Sequence, residues 1–264
     1  MKLKKGYNMQ HFMFRFSTII IVVVATGFTS SCSGKPALIE QAVVAKTLRH
    51  NQKNFTQGLF FYKDYLCEST GMHGASHFVM TKYPNGGGVR KLKLPNLYFG
   101  EGATIYGNKL YWLTYESGVC LVYDVKKLKF EKIVKYIGEG WGLTHDETHI
   151  IMSNGSATLF FRDPETFSIV KRLEVKDGKI PVANLNELEY VDGKIYANVW
   201  LTNQVVVIDA KTGRVEKRID LSELVPESTK ENIDAVANGI AYEPTSKKLL
   251  VTGKLWPKMY LINL

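Results

Sequence analysis

From about residue 55 to the last residue, short apolar runs rich in Val, Ile, Leu, Tyr and Phe alternate with Gly, Asn and Asp turns. Runs of this kind predict strands joined by hairpins. LVYDVKKLKFEKIVKY (Leu121–Tyr136), LFFRDPETFSIVKRLEV (Leu159–Val175) and VVVIDAKTGRVEKRIDL (Val205–Leu221) each read strand, turn, strand. A phrase recurs along the same stretch: Gly58-Leu59-Phe60, Gly102-Ala103-Thr104, Gly142-Leu143-Thr144, Glu187-Leu188-Glu189 and Gly239-Ile240-Ala241, with starts 44, 40, 45 and 52 residues apart. After each copy come a turn and a second β-rich run, as in YGNKLYWLTY (Tyr106–Tyr115) and VDGKIYANVW (Val191–Trp200). Four strands per unit and five units predict an all-β fold, a five-bladed β-propeller of four-stranded blades. No unit carries a long apolar stripe at helical spacing, which disfavours a helical repeat. The longer last interval has room for Leu221–Asp234, with its Pro226 and many charges, as a loop or short helix.

The first 32 residues follow a different pattern. Lys2, Lys4, Lys5 and Arg15 precede the apolar run Ile19–Ala25, and Thr29, Ser30, Ser31 and Cys32 follow it. A basic start, an apolar middle and a small-residue end predict a secretory signal peptide. The apolar run is short for a membrane span. Cys32 after small residues resembles a bacterial lipoprotein box, with Thr29 where a Leu-like residue is usual. The expectation is a lipoprotein signal over 1–32, lipidation at Cys32, a tether over 33–45 and one propeller domain over 46–264. The protein would then be exported from the bacterial cytoplasm, either periplasmic or anchored to a membrane by its lipid. Cleavage near Ser31 without acylation and a retained N-terminal anchor are the alternatives.

Composition narrows the classes. Hydrophobic residues make up 45% of the chain and aromatics 12%, which excludes disorder over most of it. The formal charge is +9, but four of the 34 basic residues and none of the 25 acidic ones precede Cys32, leaving +5 on the mature domain. The tight cluster Lys126, Lys127, Lys129 and Lys132 falls on a predicted hairpin, so it reads as a solvated blade edge and no nucleic-acid partner is expected. Cys67 and Cys120 sit among strand residues and are expected as buried free thiols. His145 and His149 flank a turn, unlike the helical zinc-protease pair. His73 and His77 read as loop residues. Neither a G-x-S-x-G elbow nor a P-loop occurs, and neither metal nor cofactor is expected. A closed single-chain ring is expected to be a monomer.

In a propeller the innermost strands line the central channel, and equivalent positions form a ring. By register the residues before the repeated phrase, Gln57, Glu101, Trp141, Asn186 and Asn238, are such a set. The second strands end near Glu68, Tyr115, Asn154, Trp200 and Lys254 and return to the same face. Carboxylates, amides, a lysine and indoles at one mouth would make a ligand pocket. Glu101 and Asn238 serve equally well as plugs that satisfy buried backbone. For Glu68, Trp200 and Lys254 the functional reading leads, because burying large or ionised groups is costly.

FTQGL (Phe55–Leu59), ESTGMHGAS (Glu68–Ser76), FGEG (Phe99–Gly102), GWGL (Gly140–Leu143), LNELEY (Leu185–Tyr190), ANVWLT (Ala197–Thr202) and VTGKLWP (Val251–Pro257) carry a resemblance. In order and spacing they resemble the plant and bacterial type of glutaminyl-peptide cyclotransferase, from about Phe55 to Leu264. The resemblance implies a five-bladed propeller, unrelated to the zinc-dependent animal enzyme. It implies a metal-independent reaction in which the α-amine of an N-terminal glutamine attacks its own γ-carboxamide, forming pyroglutamate and releasing ammonia. The partners would be peptides or proteins with N-terminal Gln. The resemblance further implies Glu68 as the acid/base, Asn186 as the group that orients the γ-amide, and Lys254 as an oxyanion or proton-relay group. Phe55, Gln57, Trp141 and Trp200 would line the pocket. Tyr115 stands where the family often has Trp. Trp256 reads equally as blade packing. The alternatives are a non-catalytic propeller that binds a peptide or protein through its channel, and a metal-dependent sugar or lactone enzyme.

Overall fold

The computed structural model of the protein describes residues 34–264. The expectations for the leader, lipidation of Cys32 included, lie outside these residues. Five antiparallel sheets follow one another along the chain. The first blade holds Thr56–Tyr62, Tyr65–Thr70, His77–Lys82 and Arg90–Lys93. The second holds Gly100–Tyr106, Lys109–Thr114, Val119–Asp124 and Lys129–Lys135. The third holds Leu143–His145, Ile150–Met152, Thr158–Arg162 and Ile169–Glu174. The fourth holds Leu185–Val191, Lys194–Val199, Gln204–Asp209 and Val215–Asp220. The innermost strand of each blade touches those of its two neighbours, and the last touches the first. This is the five-bladed propeller that the repeat predicts.

The fifth blade takes Ala237–Glu243, Lys248–Gly253 and Lys258–Ile262 from the end of the chain, and its outer strand, Val44–Arg49, from the beginning. Thr47 lies opposite Tyr260 in that antiparallel pair. Leu38–Gln41 also joins the fold, pairing in parallel with Val215–Asp220 as a fifth strand of the fourth blade. The expected tether over 33–45 is therefore corrected: Leu38–Gln41 and the start of Val44–Arg49 are sheet, and the strands of the propeller begin at Leu38. The physical reason is edge pairing. The last repeat supplies only three strands, so the open backbone groups of Lys258–Ile262 must be met from elsewhere. The predicted loop Leu221–Asp234 contains two short 3-10 turns, Ser222–Leu224 and Glu227–Thr229. The lysine-rich stretch is a hairpin with an exposed outer strand, and Cys67 and Cys120 are buried free thiols.

Apolar side chains from adjacent blades interlock in five clusters, one per blade interface. Alternation along each strand sends successive side chains to the two faces of a blade, so one strand feeds two interfaces. The closing interface between the fifth and first blades has the smallest cluster: Leu59, Ala241, Leu250, Met259 and Leu261. A buried ion pair supplements it. His50, next after the closing strand, places Nε2 3.0 Å from Oε1 of Glu68 in the first blade. Its Nδ1 lies 2.7 Å from the Trp256 carbonyl oxygen. Both ring nitrogens face acceptors, the pattern of an imidazolium. Glu68 also accepts from Thr56 Oγ1 at 2.7 Å and Asn54 Nδ2 at 2.6 Å.

Burial opposes the charge on His50, but the adjacent Glu68 carboxylate outweighs it and raises the imidazole pKa above its usual 6.5. Burial likewise opposes the charge on Glu68, yet His50, Thr56 and Asn54 hold its pKa below the usual 4.5. The raised histidine contributes stability that is fully present below pH 6.5 and lost as pH rises through its folded value. The lowered carboxylate contributes stability that is present above pH 4.5 and lost as pH falls through its folded value. Both contributions are whole between those limits. Glu68→Gln should therefore cost about 3 kcal/mol there, because it strands one partner of a buried pair. Thermal unfolding at a series of pH values checks this: the gap from wild type should narrow on either side of the window.

Candidate active site

The inner strands meet so closely that side chains are excluded at most copies of the repeated phrase. A methyl group at Gly142 would stand 2.0 Å from the Asn186 carbonyl oxygen, and one at Gly102 2.6 Å from that of Trp141. Glycine is the residue that permits such an approach. The fourth copy has Glu187 instead, whose carboxylate spans the axis. It accepts Leu59 N at 3.1 Å and Ile240 N at 2.8 Å, backbone groups of the first and fifth blades.

Four inner strands also carry a bulge at this point. Thr56 pairs with Thr70 and Gly58 with Ser69, leaving Gln57 extra. The register likewise shifts between Gly100 and Ala103, between Leu185 and Leu188, and between Ala237 and Ile240. A bulge re-aims the side chain it displaces. Gln57, Glu101, Trp141 and Asn186 line one cleft of about 600 Å3 at the channel mouth. Tyr115, Trp200 and Lys254, each next after a second strand or its end, join them, as does Phe55. Eight of the ten residues expected in the pocket are thus brought together.

Glu68 and Asn238 are not. Glu68 pairs with Leu59, as Trp112 pairs with Ala103, Ala197 with Leu188 and Val251 with Ile240. It therefore occupies a position that faces a blade interface, and its carboxylate is taken up by His50, Asn54 and Thr56. The residue that matches Tyr115, Trp200 and Lys254 is Gly71: their N–H groups bond to the carbonyls of Phe99, Asn184 and Val236, as Gly71 N does to Phe55. Glu68 thus lies three residues before the position that faces the pocket, and its expected place there is corrected. Asn238 is fully buried behind the cleft. Its Nδ2 donates to Thr56 O at 2.9 Å and Gln57 Oε1 at 3.3 Å. Gln57 Nε2 is thereby turned toward Glu101 Oε1, to which it donates at 2.9 Å.

His73, Phe99, Glu116, Leu201, Ile233 and Asp234 also line the cleft and escaped the sequence reading. Phe99 precedes Glu101 by the spacing that separates Phe55 from Gln57, a signal that was there to find. Glu116 and Leu201 directly follow the recognised Tyr115 and Trp200. Ile233 and Asp234 come from the long last interval, whose path has no signature in the repeat.

The cleft walls are aromatic. Phe55 and Phe99 meet edge to face with centroids 6.2 Å apart, and Trp141 and Trp200 do so at 5.4 Å. Glu139 Oε2 accepts Trp141 Nε1 at 2.8 Å and fixes that indole. Glu101 is buried at the cleft floor. Burial raises its pKa well above the usual carboxylate range, Lys254 pulls it back in part, and Glu139 raises it further. Lys254 stands 4.6 Å from the Phe55 ring centroid. Burial lowers its pKa, against the opposing pull of Glu101 and Asp234. Asn186 is buried too, and its Oδ1 has no hydrogen-bond partner. A buried acceptor left empty costs about 1–3 kcal/mol. An unspent amide and a carboxyl of raised pKa lining one cleft are suited to binding a polar group and transferring protons on it.

The chain is similar to known proteins over nearly all of this propeller. It is 36% identical over 231 residues to glutaminyl-peptide cyclotransferase of Arabidopsis thaliana, covering 86% of this chain and 72% of that one. The crystal structure of Myxococcus xanthus glutaminyl cyclase superposes with a TM-score of 0.76 at 33% identity, covering 86% of this chain and 97% of that one. The sequence model of the glutamine cyclotransferase family matches residues 17–264. The chain therefore belongs to the glutamine cyclotransferase family, whose activity is the cyclisation of N-terminal glutamine.

Proposed function

We propose that the central cleft performs this cyclisation with Glu101, and not Glu68, as the proton shuttle. The observation that carries the assignment is the convergence of Glu101 and the unpartnered Asn186 amide in one aromatic-walled cleft. The substrate brings its own nucleophile, so the protein must orient, stabilise charge and move a proton. The α-nitrogen of the glutamine attacks the γ-carbonyl carbon, forming the lactam C–N bond and placing negative charge on the γ-oxygen. Asn186 Nδ2 and Lys254 Nζ stabilise that oxygen, while Asn186 Oδ1 accepts from the γ-NH2 group. Glu101, as carboxylate, takes the proton that the α-nitrogen loses and returns it to the γ-nitrogen. The old C–N bond then breaks and ammonia leaves. A carboxyl with a raised pKa suits both halves of this transfer near neutral pH.

The supporting details are geometric. The Asn238–Gln57 chain holds the Glu101 carboxylate in place. The Trp141–Trp200 wall presents ring faces and edges to the glutamine stem, and a ring face also receives its ammonium before deprotonation. A peptide-binding propeller without catalysis needs neither a buried carboxyl with a raised pKa nor an amide left open.

We also propose export and acylation at Cys32, supported by the basic, apolar and small-residue order of the leader. Cys32→Ala should abolish incorporation of labelled palmitate and release the protein from the membrane fraction; label persisting on the variant would refute it.

Glu101→Gln should lower kcat by about a thousandfold with Tm retained, as read by ammonia release from a Gln-initiated peptide. Full turnover by that variant would sink the assignment. Asn186→Ala should lower kcat about a hundredfold, yet leave Tm unchanged or higher, because no protein group bonds the Asn186 side-chain oxygen. A large drop in Tm would show that Asn186 is structural.

A further inference from the structure

The longest repeat interval, 52 residues, ends in the segment that carries Ile233 and Asp234 to the cleft rim. Ile233 is 80% exposed, and Leu201, which also lines the cleft, is 53% exposed. Both side chains also line a groove of about 340 Å3 that continues beyond them, walled by Val225, Thr229 and Val236. The two recesses therefore share the Leu201–Ile233 edge. A substrate whose glutamine fills the inner cleft must pass the rest of its chain out through the mouth, and this edge is a recessed route that continues from it.

We infer that Leu201 and Ile233 form a subsite for an apolar side chain on the residue that follows the glutamine, with the adjoining groove receiving the chain beyond. The inference rests on the cyclase reading above. The edge is built in advance. Leu201 has φ +64, a conformation that a bulky residue adopts only when its surroundings impose it. The turn that imposes it is closed by Thr202 N and Oγ1, which bond to the Val199 carbonyl at 3.0 and 2.6 Å. On the other side, Asn232 Oδ1 accepts Asp234 N at 3.0 Å, and Trp256 Nε1 donates to the Ala235 carbonyl at 2.8 Å. Ile233 thus lies between braced neighbours, and a preformed backbone lowers the ordering cost of binding. Asp234 and Glu116 add negative charge at the rim. An acidic residue after the glutamine is repelled there, which gives the subsite a sense of discrimination as well as of attraction.

The test compares kcat/KM for Gln-Leu-Ala amide, Gln-Asp-Ala amide and glutamine amide in wild type, Ile233→Ser, Leu201→Ser and Asp234→Asn. The wild-type protein should prefer the leucine peptide to glutamine amide by about tenfold, expressed in KM. Ile233→Ser and Leu201→Ser should each shrink that ratio several-fold, and Asp234→Asn should relax the bias against aspartate. Identical ratios in all four proteins would overturn the subsite while leaving the cyclase reading intact. Absence of turnover by the wild-type protein on every substrate would overturn the cyclase reading, and the subsite with it.

Discussion

The close approach of five inner strands around one axis governs the rest of this structure. At Gly142 the gap to the next strand leaves no room for a single methyl group. Glycine stands at four copies of the phrase, and at the remaining one, the fourth, Glu187 bridges through its side-chain oxygens to two backbone N–H groups. Four of the five inner strands also bulge at this point, and the one after Gly142 pairs without a shift. On three of the bulged strands the residue before the phrase, Gln57, Glu101 or Asn186, faces the channel mouth, while Asn238 on the other is buried behind the cleft. Fold and site are in this sense one solution: the packing that closes the ring also presents Gln57, Glu101, Trp141 and Asn186.

Closing a ring from a linear chain leaves one seam that differs from the others. Here the seam lies between the fifth and first blades, where the apolar cluster is smallest. The N-terminal strand Val44–Arg49 covers the open edge, and His50 with Glu68 ties that strand to the first blade. A buried ion pair adds little net stability compared with apolar packing, but losing one partner is costly.

The cleft concentrates features that stability alone would not retain. Glu101 is buried against its charge, and the Asn186 amide lacks a partner. The φ +64 of Leu201 adds local strain at the rim. The protein meets these costs with five interlocked blade interfaces, which are rigid enough to hold unfavourable groups in place.

The period of the repeated phrase, the strand-turn-strand patterning and the glycines were legible in the sequence, because local propensity and side-chain alternation follow from residue type and spacing. They determined the propeller, the number of blades and the ring of residues before each phrase, and with them most of the cleft. The sequence could not distinguish Glu68 from Glu101. Both are acidic residues near strands of the first two repeats, and only the pairing register shows that Glu68 faces the seam while Glu101 faces the cleft. Nor could it show that Val44–Arg49 completes the fifth blade and Leu38–Gln41 extends the fourth, or that Ile233 returns to the rim. Those depend on contacts between residues far apart in the chain, and only the closed ring brings such residues together.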